Sequence, residues 1–298
     1  MRIATFVNAA GENRAGLVLG EQLLDIAAAS AALGLAGGPL PASVEALLAL
    51  PDGLARAGAL LARAAEAPAA TRRSIAGTRL KAPVLRPEKI FGIGQNYADH
   101  CREMGRPIPT ELRVFAMFAN ALVGHGETVI LPRTSTQMDW EAELVAVIGR
   151  PCKHVTAAEA LDYVAGYTCG NDISARDHQA RDPMVMRGKS GDTHAPLGPW
   201  IVTRDEIPDP QALRIGLTVN GVEKQASTTG EMVFSVADII AFLSYYFTLA
   251  PGDLIYTGTP HGVGSGRKPQ EWLKGGDSVA VSIEKIGTLT NPCMAEPG

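Results

Sequence analysis

Met138-Asp139-Trp140-Glu141-Ala142-Glu143-Leu144-Val145-Ala146-Val147-Ile148-Gly149 sets two acids at the mouth of an apolar run. Leu144 to Ile148 is partly β-branched and uncharged, the pattern of a buried strand. Side chains two apart on a strand point to the same face, so Glu141 and Glu143 converge. Converging carboxylates beside a buried strand repel unless one is protonated or a cation lies between them. A pair of surface glutamates capping a strand edge is the alternative. The rest of the chain bears on that choice.

The chain has 298 residues, ample for one large core or for one domain and a smaller companion. Charged residues make up 19% and apolar residues 46%, an ordinary globular balance without the signature of disorder. A net charge of −4 with no basic cluster argues against nucleic acid as a partner. The most apolar stretch, Val233 to Ala250, is interrupted by Asp238 and two serines, so no membrane span is expected. Met1-Arg2-Ile3-Ala4-Thr5-Phe6 reads as strand and not as a signal peptide. Cys101, Cys152, Cys169 and Cys293 show no CxxC spacing and suit the reduced thiols of a cytoplasmic protein.

Residues 1–26 read as short strands with turns at Gly11-Glu12-Asn13 and near Gly20. The alanine- and leucine-rich stretch that follows predicts helices around Val44–Leu50 and Leu54–Ala65 and carries no chemistry. This gives a small N-terminal domain over 1–80, followed by a second domain over 83–298. Lys89 to Gly105 predicts a short strand, a glycine turn and a helical turn. Gly92-x-Gly94 lacks the third glycine of a dinucleotide fingerprint, where Tyr97 stands. His100 and Glu103, at i and i+3, share one helical face; they form either a general acid–base pair or a solvated surface.

Thr156 and Glu159 form a capping box opening a helix to about Val164, and Asp172 falls at a strand end before a helix that Ser174 caps. Gly188-Lys189-Ser190 is not a P-loop, because Pro183 occupies the position of the required glycine. Asn220-Gly221 marks a β-hairpin. Ser235 and Asp238 cap a helix whose apolar stripe is Val236, Ile239, Ile240, Leu243 and Phe247. Asp253 to Gly264 is a strand entering a glycine-rich turn, where backbone N–H groups and the Thr259 hydroxyl suit a carboxylate. Strand-rich sequence after residue 80 gives an α+β, β-dominated fold.

Five segments together resemble the fumarylacetoacetate hydrolase superfamily over roughly residues 83 to 291. They are Gly92-Ile93-Gly94-Gln95-Asn96-Tyr97-Ala98-Asp99-His100 with Glu103, Glu141-Ala142-Glu143-Leu144, Asn171-Asp172-Ile173-Ser174-Ala175-Arg176-Asp177, Gly188-Lys189-Ser190 through Gly198-Pro199, and Tyr256 through Gly264. The resemblance implies a mixed β-roll catalytic domain, usually homodimeric, binding Mg²⁺ or Mn²⁺ through Glu141, Glu143 and Asp172. An all-carboxylate set independently suits a hard cation. Fumarylacetoacetate hydrolases proper supply a further carboxylate near Ile93; the three-carboxylate pattern is similar to the branch acting on acylpyruvates and related 2-oxo acids. The family commonly has lysine at Met117 and aromatic residues near Gly191 and His194, so substrate preference departs from the pattern there.

The implied activity is metal-assisted cleavage of a carbon–carbon bond in a 2,4-dioxo acid, with a role in the breakdown of aromatic compounds. His100, oriented by Glu103, is the expected base, Lys189 the enolate stabiliser, and Gln179 and Thr259 the substrate-positioning groups. The resemblance extends to isomerases and decarboxylases of 2-hydroxymuconate-type diacids, of the 2-hydroxyhepta-2,4-diene-1,7-dioate isomerase kind. A non-catalytic homologue that binds a 2-oxo acid is the reading from outside enzymology.

Overall fold

In the computed structural model, which describes residues 1–298, the strand Ala142–Ile148 is buried from end to end within a twelve-stranded sheet. Because successive side chains point to opposite faces, Ala142, Leu144, Ala146 and Ile148 enter one apolar core, and Val145 and Val147 enter another. The first core also holds Ile215, Leu217, Val279 and Val281 of a five-stranded sheet, with Ile239, Ile240 and Leu243 of the helix Val236–Tyr246. The second contains Val44, Leu47 and Leu60 from the N-terminal helices. Glu141 and Glu143 share the alternation of Val145, so both project on the side of the second core.

The large sheet runs Arg72–Ser74, Gln22–Asp25, Asn13–Leu19, Arg2–Val7, Ala195–Thr203, Val164–Asn171, Ala142–Ile148, Leu254–Tyr256, Ile90–Gly94 and Arg113–Met117. Neighbours are antiparallel except Leu254–Tyr256 and Ile90–Gly94, which are parallel. That arrangement gathers four chain segments at one end of the sheet. The strands Ile90–Gly94, Leu254–Tyr256 and Val164–Asn171 finish there, and Ala142–Ile148 begins there. Strand-rich layers with helices set against them bear out the mixed, β-dominated α+β reading, and no closed barrel forms. The segment 1–80 enters the same sheet, Arg2 and Ile3 pairing with Val202 and Ile201.

Local signals account for the elements. Asp25 and Ser43 accept the Ala28 and Ala46 N–H groups at two N-terminal helix starts, satisfying donors the helix leaves open. Both capping boxes form, Thr156 with Glu159 and Ser235 with Asp238. Asn220 and Gly221 adopt φ of 53° and 77°, the left-handed pair that a type I′ hairpin turn requires.

Two expectations fail locally. Ser174 caps no helix: it belongs to a two-residue strand paired with Met138–Asp139, and its hydroxyl donates to the Asp172 carbonyl at 2.9 Å. Phe247 is not core: it ends the helix with an extended backbone, is 43% exposed, and its ring meets Phe91 at 5.2 Å. No helix is long and apolar enough to cross a membrane, and all four cysteines are free and buried.

Candidate active site

Glu141, Glu143 and Asp172 meet at the gathered end of the sheet, with one carboxylate oxygen from each within 4.8 Å of the others. The register explains the convergence. Glu143 pairs with Gly170, so Asp172, two residues on, returns to the same face opposite Glu141, whose carbonyl accepts its N–H at 3.0 Å. Gly170 leaves the space this needs: a Cβ there would lie 2.5 Å from Val145 Cγ2 and 2.6 Å from the Tyr256 ring. The Glu141 N–H donates to Asn171 Oδ1 at 3.0 Å, and Glu143 Oε2 accepts the Gly258 N–H at 2.8 Å. The glycine-rich turn thus holds a carboxylate, and that carboxylate is the protein's own.

Two cations are built into the cluster. Lys189 is 3% exposed and donates to Glu141 Oε2 at 2.7 Å and Asp172 Oδ2 at 2.6 Å. Arg176 forks between Glu141 Oε1 at 2.7 Å and Asp139 Oδ2 at 2.8 Å. Asp139 is fully buried and also accepts the Gly264 and Ser265 N–H groups at 2.6 and 3.0 Å. Ionised together, the four buried carboxylates would exceed the two cations by two negative charges. Burial would raise the Glu141 carboxyl, but Lys189 and Arg176 hold it down at about 2. Burial, then the Asp172 and Glu141 charges, pushes Glu143 well above the usual carboxylate range. Burial also raises Asp172 to about 7 against the pull of Lys189. Asp172 Oδ1 is buried with no hydrogen-bond partner. An orphaned carboxylate oxygen, four acids against two cations and an all-oxygen donor set fit a hard divalent cation.

His100 and Glu103 lie on one face of the helix Ala98–Glu103, with Nδ1 and Oε2 3.2 Å apart. Glu103 Oε1 accepts the Gly262 N–H at 2.8 Å, so its second oxygen stays turned toward the imidazole. Asp99 clamps the helix from its other end, accepting from Ser227 Oγ at 2.6 Å and pairing with His261 Nδ1 at 2.9 Å. The turn 258–264 ties this pair to the cluster, with its Gly258 N–H on Glu143 and its Gly262 N–H on Glu103. A histidine braced through one nitrogen keeps the other for proton transfer.

The two expected positioning groups sit in the surrounding network. Gln179 Oε1 accepts from Arg176 Nη1 at 3.0 Å. The Thr259 hydroxyl accepts from Gln225 Nε2 at 2.9 Å. Gln225 Oε1 in turn accepts the Ala142 N–H at 2.8 Å, tying the carboxylate strand to the turn. Arg176, Asp139 and Gln225 escaped the sequence reading. Arg176 stood inside a quoted motif, and its position four residues after Asp172 was the one available signal. Gln225 lies on a hairpin strand and had none.

At the positions departing from the family pattern, Met117 is buried, and His194 lies over Gly191, where a Cβ would come within 2.5 Å of its ring. Burial pushes the His194 imidazole down to about 4, so it is neutral at physiological pH.

The fumarylacetoacetate hydrolase C-terminal family model matches residues 89–294. The human mitochondrial oxaloacetate tautomerase FAHD2A is 47% identical over 212 residues, covering 70% of this chain and 68% of that protein. The 5-carboxymethyl-2-hydroxymuconate delta-isomerase of Mycobacterium smegmatis superposes with a TM-score of 0.77 at 32% identity, covering 100% of both chains. The maleylpyruvate hydrolase of Sphingobium sp. SYK-6, in complex with manganese(II) and pyruvate, gives 0.79 at 29% identity and 100% of both chains. These relatives are enzymes, a tautomerase, an isomerase and a hydrolase.

Proposed function

The chain belongs to the fumarylacetoacetate hydrolase family, and from that premise we propose that it is a divalent-metal-dependent enzyme acting on the keto–enol system of a 2-oxo acid. The observation that carries the proposal is the buried set of converging carboxylates, four acids against two cations, linked through one turn to a braced histidine. Mg²⁺ and Mn²⁺ both accept such a ligand set. Glu141, Glu143 and Asp172 would hold the cation, which would supply Lewis acidity toward a 2-oxo acid.

Keto–enol tautomerisation is the first reading, because the relative at 47% identity is an oxaloacetate tautomerase. Nδ1 of His100 is engaged by Glu103, which leaves Nε2 to take a proton from carbon 3. The same nitrogen returns the proton to the 2-oxygen, giving the enol, and the reverse order gives the ketone. Lys189 offsets negative charge as the enolate develops. Gln179 and Thr259, fixed by Arg176 and Gln225, border the substrate.

Hydrolysis of a carbon–carbon bond in a 2,4-dioxo acid is the second reading, favoured by the similarity to a maleylpyruvate hydrolase. There His100 takes a proton from water as the oxygen bonds to carbon 4. The bond from carbon 3 to carbon 4 breaks, leaving its electron pair on carbon 3 as the enolate of pyruvate. His100 then protonates that carbon. The two readings share the site and the enolate and differ in whether water enters.

The deciding assay follows enol absorbance of oxaloacetate, acetylpyruvate, fumarylpyruvate and a 2-hydroxymuconate-type diacid with purified protein and Mg²⁺. Pyruvate is quantified in parallel and EDTA serves as control. EDTA-sensitive loss of enol without pyruvate is the expected result. Stoichiometric pyruvate with a matching acid moves the assignment to hydrolysis, and no EDTA-sensitive change with any substrate removes the proposal.

A further inference from the structure

The register of the sheet carries the site outward to its edge. Val145, Tyr256, Gly92 and Phe115 are successive partners across four strands. Paired residues in a sheet face the same side, so all four share the face on which Glu141 and Glu143 stand. Two residues nearer the site along their own strands stand Glu143 and Arg113, and Arg113 pairs with Gly94. Past Tyr256 the strand between them gives way to the turn whose Gly258 N–H donates to Glu143 Oε2. Arg113 therefore stands three strand spacings from Glu143, about 14 Å between backbones, on the same face.

Gly94 leaves room on that face: a Cβ there would meet only Arg113 Cβ and the Arg113 carbonyl, at 3.7 and 3.8 Å. Beside it, the Phe115 ring lies across Gly92 and comes within 5.5 Å of Lys189 Nζ, so the row runs along the wall of the site itself. Arg113 is exposed at the start of the edge strand Arg113–Met117 and makes no ion pair or side-chain hydrogen bond within the protein. The arginines at the cluster differ: Arg176 is committed to Asp139 and Glu141.

We propose that Arg113 is a specificity-determining residue that reads the far end of the substrate, and that this end carries a carboxylate. The inference rests on the reading of the site as one for 2-oxo acids and narrows it to 2-oxo diacids. An extended diacid presents its 2-oxo carboxylate end to the buried cluster and lies over Gly94, and its distal carboxylate meets the free guanidinium. A planar guanidinium matches a carboxylate through two parallel hydrogen bonds, which an ammonium does not reproduce.

Binding tests this separately from catalysis. Calorimetry with Mg²⁺ present compares 2-oxoadipate with 2-oxohexanoate, which have the same chain length and differ in the distal carboxylate. The wild type is expected to favour the diacid by about 10- to 100-fold, the worth of a charge-assisted pair. Arg113→Gln is expected to abolish that preference while leaving 2-oxohexanoate affinity unchanged, and Arg113→Lys to restore part of it. Thermal melting checks the fold, which an exposed edge-strand residue leaves intact. Equal binding of the two acids by the wild type, or equal weakening of both in Arg113→Gln, overturns the assignment. Diacid preference lost in Arg113→Gln, in a protein that turns over none of the enol substrates, removes the proposed reaction and upholds Arg113. Turnover with no dependence on the distal charge does the reverse.

Discussion

Arg176→Met is the most informative single change at the cluster. Methionine keeps much of the volume of the side chain and removes both forks, to Asp139 and to Glu141. Breaking a buried ion pair by deleting one partner costs about 3–5 kcal/mol, because the other charge stays buried. The lower figure applies here. Asp139 keeps the N–H groups of Trp140, Gly264 and Ser265, and Glu141 keeps Lys189. A loss of about 3 kcal/mol, at about 2–4 °C per kcal/mol, lowers the melting temperature by about 6–12 °C. The change also frees Glu141 from one of the charges that hold its carboxyl down. Its geometry toward a cation loosens, and outer partners of metal ligands are typically worth about 10–100-fold in affinity. Scanning calorimetry of the metal-free protein and Mn²⁺ titration by calorimetry read the two effects independently. Arg176→Lys, which retains charge without the fork, falls between wild type and Arg176→Met in both. A melting temperature within about 2 °C of wild type together with unchanged Mn²⁺ affinity would refute the account of the charge balance.

The metal-free site also has a defined pH response. Asp172 is raised to about 7 and Glu143 well above its usual range, so the fold holds protons there that the unfolded chain releases near pH 4. Their contribution to stability is complete below the unfolded value and is lost as pH rises through the folded one, so the metal-free melting temperature falls between pH 5 and 8. A cation displaces those protons, so Mn²⁺ affinity rises over the same interval and binding releases protons into a weakly buffered solution. Affinity independent of pH would contradict the pKa directions. At the dyad, His100→Asn and Glu103→Gln lower kcat by about 10²–10⁴-fold while leaving Mn²⁺ affinity unchanged. Lys189→Ala lowers kcat more than it raises KM, by about 10²–10³-fold. Steady-state kinetics decide both, and full turnover in His100→Asn rules out the base assigned here.

Much of this was legible from local pattern. The period of two from Glu141 to Ile148 put both carboxylates on one face, and the structure keeps them there. Spacing of i, i+3 brought His100 beside Glu103, and Asn-Gly marked its hairpin. Each depends on backbone geometry within a few residues, which the sequence states directly. Ser174 and Phe247 were misread for a related reason. A serine before a helix and an apolar residue at helical spacing are local cues that a competing strand pair and a helix end overrode.

Lys189 shows where local reading stops. In sequence it is a cation in a small-residue loop; in the fold it lies between two carboxylates that arrive from 17 and 48 residues away. Asp139, Arg176 and Gln225 joined the site in the same manner, through contacts spanning 35 to 125 residues. The sequence by itself determined which acids share a face, which helix carries the His100–Glu103 pair and which turns are rich in glycine. Only the tertiary structure decided the charge balance, the bracing of Glu103 and the placing of Arg113 on the face that carries Glu143. Those depend on strand register and on electrostatics between distant segments, and neither is written within a short window of residues.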